Sequence, residues 1–135
     1  MAETFELEVV TPEKRVIKDQ AEEMQIPGKN GYLGILPGHA PLITELAVGE
    51  ISYRNAGATH HLAVAWGFAE VLPEKVTILA ETAERADEID VKRAEEAKHR
   101  AEERLKSTSP DIDYPRAQSA LKRSETRLEV AEKKG

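Results

Sequence analysis

From Thr4 to Val10 apolar and acidic side chains alternate, with Phe5, Leu7 and Val9 on one parity and Glu6 and Glu8 on the other. A period of two is the signature of a half-buried strand. Arg15 to Asp19 and Glu22 to Ile26 predict two further short strands before the Pro27-Gly28 turn. The stretch from Gly31 to Leu42, GYLGILPGHAPL, is crowded with glycine and proline, so turns rather than a long ladder are expected to set its backbone. Leu46 to Tyr53, His60 to Trp66, Phe68 to Leu72 and Lys75 to Leu79 are again short, apolar or alternating. They are separated by Gly49, Asn55-Ala56-Gly57, Gly67 and Pro73-Glu74. Many short strands at close intervals predict a small β-sandwich.

The period changes after Glu84. Val91, Ala94, Lys98, Ala101 and Leu105 recur at steps of three and four, and so do Tyr114, Ala117, Leu121, Ser124, Leu128 and Ala131. These are two helical seams. Ser107 to Asp111 separates them with residues that break helices, too few to fold alone, so the helices fold back as an antiparallel hairpin. The seam is mostly alanine and serine with few large aliphatics, and therefore packs closely but weakly. The predicted architecture is an all-β N-terminal sandwich, residues 1–84, followed by a C-terminal antiparallel α-helical hairpin, residues 85–135.

Charge sharpens this division. The chain of 135 residues carries a net charge of -6. Residues 1–83 hold six Lys or Arg against twelve acids, whereas residues 84–135 hold thirteen of each. An acidic front half and a balanced tail with one aromatic argue against general nucleic-acid binding. There is no cysteine, hence no disulfide and no thiolate metal site. No apolar run approaches the ~18 residues of a spanning helix, and the start, Met1 to Phe5, lacks a basic segment followed by a hydrophobic one. A soluble chain with room for one compact domain and an appendage is expected.

Within the hairpin the charges are sorted. One flank carries Arg93, Arg100 and Arg104 on the first helix and Arg116, Arg123 and Arg127 on the second, interrupted only by Ala97 and Ala120. The other flank mixes Glu95, Glu102, Glu125, Glu129 and Glu132 with Lys92, His99 and Lys122, an ordinary solvated face with i,i+4 pairs such as Glu102 with Lys106. Guanidinium groups from two helices over an alanine floor suit a polyphosphate.

The Gly31 to Leu42 segment, Val76-Thr77-Ile78-Leu79-Ala80 and the Ser- and Asp-containing turn between two charged helices closely resemble the epsilon subunit of the bacterial F-type ATP synthase. The resemblance covers essentially the whole chain. It implies a non-catalytic rotor subunit on the cytoplasmic face of the bacterial plasma membrane. Its sandwich would contact the gamma subunit and the ring of membrane subunits, the c-ring. Its hairpin would be a mobile arm that either lies on the sandwich or extends toward the alpha and beta subunits and blocks ATP hydrolysis. The isolated chain would be monomeric.

Ile89-Asp90-Val91-Lys92-Arg93-Ala94 matches the family's ATP-binding pattern. Asp90 is equally suited to cap the first helix, with Ile89 and Ala94 as a hydrophobic staple, and both readings stand at this point. The resemblance places Arg93, Arg100, Arg123 and Arg127 toward phosphate and Glu84, Ile89, Asp90 and Ala94 at the adenine and ribose end. ATP would then be a regulatory ligand that fastens the arm, bound but not hydrolysed, since neither a glycine-rich phosphate loop nor a Walker lysine motif is present. In the Gly-Pro loop, Gly31, Gly34 and Gly38 permit tight backbone geometry, and by the resemblance Gly31, Tyr32 and His39 face the c-ring. Trp66 is expected in the core, and Phe68 either there or facing gamma. No metal is expected: His60 and His61 are adjacent on a strand and point to opposite faces. The rival readings are a purely structural coupling subunit without nucleotide and a small cupin-like metalloprotein using His39, His60 and His61.

Overall fold

Over Phe5–Val10 (β1) the alternation acts as written: Phe5, Leu7 and Val9 are buried while the residues between them are half-covered. The computed structural model describes residues 3–133. Strands β2 (Arg15–Ala21), β3 (Glu23–Gly28), β4 (Gly31–Ile35), β5 (Leu42–Leu46), β6 (Gly49–Asn55), β7 (Ala58–Val71) and β8 (Lys75–Arg85) complete an eight-stranded sheet. A 3-10 turn, Ala86–Glu88, leads into α1 (Val91–Lys106) and α2 (Tyr114–Ala131). The predicted sandwich followed by a helical hairpin is the architecture found.

The ladder runs β2-β1-β8-β7-β5-β3-β4, with β6 joined to both β3 and β7. Only β1 and β8 pair in parallel among these neighbours. The sheet becomes a sandwich at one point of β7. Residues Ala58 to Val64 pair with β6, whereas Gly67 to Val71 pair with β5, on the same edge of the strand. Between them Trp66 and Gly67 take φ values of 53° and 118°. A Cβ on Gly67 would lie 2.0 Å from the carbonyl oxygen of Leu79, so only glycine allows the two backbones to approach there. The bend folds the sheet over a core that includes Phe5, Leu7, Met24, Ile26, Ile51, Leu62 and Ile78.

Three sequence expectations are corrected here. The Gly31–Leu42 segment is not set by turns alone: Gly31 to Ile35 forms a five-pair ladder with β3 across a Lys29-Asn30 turn. Its glycines hide the alternation because Gly31 leaves a gap on the face of Leu33 and Ile35, and Gly34 offers no side chain to contrast with them. The two strands expected on either side of Gly67 are one strand, because a positive-φ bend keeps the β8 ladder in register from Leu62 to Val71. Trp66 is not a core residue, since that bend turns its ring out of the sandwich interior, and it is half-buried beneath the hairpin.

The helices begin where side chains cap them. Asp90 accepts a hydrogen bond from the Arg93 N–H at 3.1 Å, and Asp113 one from the Arg116 N–H at 3.1 Å. Ala94 and Ala101 of α1 are buried against α2, which contributes Ala117, Ser124 and Ala131. The Ser124 hydroxyl is satisfied within its own helix. The seam opens at its ends, where Val91 and Tyr114 are exposed. Lys106 pairs with Glu103 at 3.8 Å, one position from the expected Glu102.

Helix α2 has a second buried face that no heptad seam describes. Val130 is fully buried and Thr126 nearly so, where α2 packs on β6 and β7. Val130 and Ala131 cluster with Ala63 of β7 and Ile89 of the connector. Ile89 therefore packs onto the far end of the hairpin, in place of the local staple with Ala94.

Candidate functional site

Because α2 lies on the sandwich, the flank of the hairpin that would otherwise face solvent closes over β8 and the β1–β2 turn. The result is a cleft of about 650 Å3. Six of the eight residues singled out from sequence line it: Glu84 from the end of β8, Asp90, Arg93, Ala94 and Arg100 from α1 and its cap, and Arg127 from α2. Ile89 lies beneath, in the cluster with Val130. Arg123 is turned aside, its guanidinium carbon 5.0 Å from the centre of the Trp66 ring. Arg104 and Arg116, nearer the hairpin turn, are not part of the lining.

The cleft is paired internally. Arg127 Nε donates to Glu84 Oε1 at 2.5 Å, with both side chains about two-thirds covered. Lys14, from the β1–β2 turn, reaches Glu88 Oε2 at 3.3 Å, while the other Glu88 oxygen accepts the Arg85 N–H at 3.2 Å. Four cations, Lys14, Arg93, Arg100 and Arg127, thus face five carboxylates, Glu13, Glu81, Glu84, Glu88 and Asp90. An incoming phosphate gains Arg127 and Lys14 only by displacing carboxylates from them, so selectivity would come from geometry more than from net charge. The lining contains no histidine, and its hydroxyls, Thr11 and Thr82, have no imidazole beside them. That lining pairs neither hydroxyl with an imidazole base.

A second set of contacts fastens the arm farther along α2. Burial, and then the positive charges of Arg127 and Arg116, hold the Arg123 guanidinium below the usual arginine value, which fits its seat on Trp66. Lys133 Nζ donates to Glu50 Oε1 at 2.6 Å, and that hydrogen bond holds the Lys133 ammonium above the usual lysine value. Glu50 Oε2 meets His61 Nδ1 at 3.0 Å. Tyr32, whose hydroxyl accepts the Glu50 N–H at 2.9 Å, packs against Gly49.

The loop residues and histidines fall separately. Gly31 takes a φ of 128° at the start of β4, Tyr32 exposes 58% of its surface, and His39 Nδ1 sits 2.7 Å from the Ala40 carbonyl in its own loop. His60 stacks on Tyr53 at 4.9 Å, apart from the His61–Glu50 pair. Among the described residues no three of His, Cys, Asp or Glu are grouped to hold a metal ion. No helix among them is long and apolar enough to cross a membrane. On the outer sheet face Phe68 stands between Glu45 and Leu79 in the ladder, one row from Ile43 and Glu70. Ile43, Phe68 and Leu79 are 70%, 52% and 53% exposed, so Phe68 is a surface residue.

Lys14, the Trp66–Arg123 contact and the Lys133–Glu50–His61 group are absent from the sequence reading. Each joins residues far apart in the chain, Lys14 through the connector at Glu88 and the other two through the docking of α2, whose second face holds the off-seam Thr126 and Val130.

A bent β-sandwich with a two-helix hairpin laid on it and a charge-paired cleft between them defines the class of sandwich-plus-hairpin chains. Residues 4–86 match the ATP synthase delta/epsilon chain beta-sandwich domain, and residues 87–132 the ATP synthase delta/epsilon chain long alpha-helix domain. The chain belongs to the ATP synthase delta/epsilon family, among its epsilon chains. It is 73% identical over 111 residues to the ATP synthase epsilon chain of Koribacter versatilis, covering 82% of this chain and 78% of that one. The epsilon chain of Geotalea uraniireducens is 51% identical over the same length, covering 82% and 80%. In fold it is similar to a chain of the Euglena gracilis mitochondrial ATP synthase, with a TM-score of 0.83 at 22% identity over 98% of this chain and 83% of that one.

Proposed function

We propose that this chain is a non-catalytic subunit of the ATP synthase central stalk whose sandwich couples the gamma subunit to the c-ring and whose helical arm restrains ATP hydrolysis. ATP, bound in the cleft and not hydrolysed, holds the arm down. The observation that carries the nucleotide reading is the convergence of Arg93 and Arg100 from α1, Arg127 from α2 and Glu84 from β8 on one cleft. A ligand engaging all of these binds only the docked arm, and so stabilises it by mass action. Released, the arm extends toward the alpha and beta subunits and blocks hydrolysis.

The exposed Ile43, Phe68 and Leu79, rimmed by Glu45 and Glu70, suit a partner with an apolar centre and basic surroundings, which we assign to gamma. Gly31, Tyr32 and His39 are assigned to the c-ring. The chain would lie at the cytoplasmic face of the bacterial plasma membrane as a peripheral subunit.

Titrating ATP into the full chain while following amide NMR shifts tests the reading. Shifts concentrated in Glu84, Asp90, Arg93, Arg100 and Arg127 are expected, and unchanged spectra at millimolar ATP would refute nucleotide binding. A second reading, a structural coupling subunit without a nucleotide, is favoured by the internal pairing of the cleft: Glu84 already occupies Arg127.

A further inference from the structure

We infer that Lys14 is a phosphate ligand of this cleft, adding a cation to the wall that Glu84 of β8 already gives the sandwich. The inference rests on the nucleotide reading above. The other cations that line the cleft, Arg93, Arg100 and Arg127, all belong to the hairpin, and Lys14 is the one that the sandwich supplies. Its backbone is fixed: the Thr11 N–H donates to the Lys14 carbonyl at 2.9 Å, and the Lys14 N–H donates to the Thr11 hydroxyl at 3.3 Å. The side chain thus leaves a closed turn at a defined point on the rim.

Its ammonium is also more cheaply redirected than the Arg127 guanidinium. The Lys14–Glu88 pair is 3.3 Å long with side chains 59% and 39% exposed, an arrangement that holds weakly in water. Arg127, by contrast, is tied to Glu84 at 2.5 Å with most of both side chains covered. A flexible stem carrying a compact charge and three donors suits a phosphate oxygen whose position the arginines have already set.

The mechanical consequence is specific. A triphosphate held by Arg93, Arg100 and Arg127 alone ties one helix to the other. With Lys14 engaged the phosphates are tied to the sandwich as well, beside Glu84, so that more of the ligand affinity is expressed as arm docking.

Isothermal titration of ATP into the full chain, compared with K14M, K14R, E88Q and the control K29M, tests this. Lys29 pairs with Glu45 outside the cleft. Losing one charge-assisted hydrogen bond predicts affinity about tenfold weaker in K14M, with K14R and K29M within about twofold of the parent. The E88Q variant breaks the same ion pair yet frees the ammonium, so it should bind ATP at least as well as the parent. If Lys14 served only to hold Glu88, E88Q and K14M would weaken binding together, and the inference fails. It fails too if K14M matches the parent, or if K14M and K29M fall alike, while the parent binds ATP; the nucleotide reading then survives. A parent chain that binds no ATP at millimolar concentration overturns both.

Discussion

The docking of α2 on the sandwich is the contact on which the cleft depends, and Val130→Ala is the smallest change that weakens it. Val130 is 0% accessible and sits with Ala63 and Ile89 on the sandwich side. Removing two methyl groups forfeits about 0.8 kcal/mol each, and the void left in a close-packed contact brings the loss to about 2 kcal/mol. The neighbouring ion pairs are partly exposed, Arg127–Glu84 at 30% and 34% and Lys133–Glu50 at 47% and 18%, and pairs of this kind are screened by solvent. The apolar contact therefore outweighs either of them. The ratio of docked to undocked arm should fall by roughly 30-fold. The assay is built in: Trp66 is the only tryptophan, and the guanidinium of Arg123 on α2 lies over its ring. In V130A the Trp66 emission should shift and amides of α2 should exchange faster, while those of β1 and β8 stay protected. Unchanged emission and exchange in V130A, together with a freed arm in a K133A/R127A double variant, would show that ions and not burial hold the arm.

Gly67→Ala should unfold the sandwich, with a loss above about 3 kcal/mol seen as a collapse in thermal midpoint, because the obstructing atom is backbone and φ is positive. Asp113→Ala should lower hairpin stability by about 1 kcal/mol through loss of the cap on Arg116, read as reduced helical dichroism, with Asp113→Asn largely preserving it. Alkaline titration should leave Tyr53 protonated past the ordinary tyrosine range. Burial first, then the hydrogen bond to Asp19, pushes the Tyr53 phenol well above its ordinary value. Since the folded state holds that proton longer, stability should be level below about pH 10 and fall above it, as the unfolded chain ionises first. Tyr53→Phe should flatten that fall.

How far the sequence carries the fold depends on whether a residue's neighbours lie nearby in the chain. Phe5, Leu7 and Val9 declare their strand because burial alternates with solvent on a two-residue period, and Asp90 declares the start of α1 because capping is local. Strand β4 escapes because its glycines mask the period, and β7 is split in the reading because Gly67 looks like a break when it is a bend. The arginine flank shows the same limit in the site. A helical wheel places Arg93, Arg100, Arg123 and Arg127 on one side, and three of the four line the cleft. Arg123 departs because its side of α2 meets the sandwich, where the face of an aromatic ring replaces water as its partner. Thr126 and Val130, off the heptad seam, are the residues that reveal this face once packing is known.

One strand joins the two halves of that design. Before its bend β7 presents Ala63 to the Val130 cluster, and at the bend it presents Trp66 to Arg123. Two residues later, on the outer face, Phe68 is exposed beside Leu79. A non-glycine residue at positive φ costs on the order of 1–3 kcal/mol. That strain persists because the fold needs the bend twice. It doubles the sheet over its core, and it turns the indole outward where α2 can cover it. Replacing Trp66 by glycine would relieve the backbone and remove the platform, so the sandwich and the docking of the arm would respond with opposite sign.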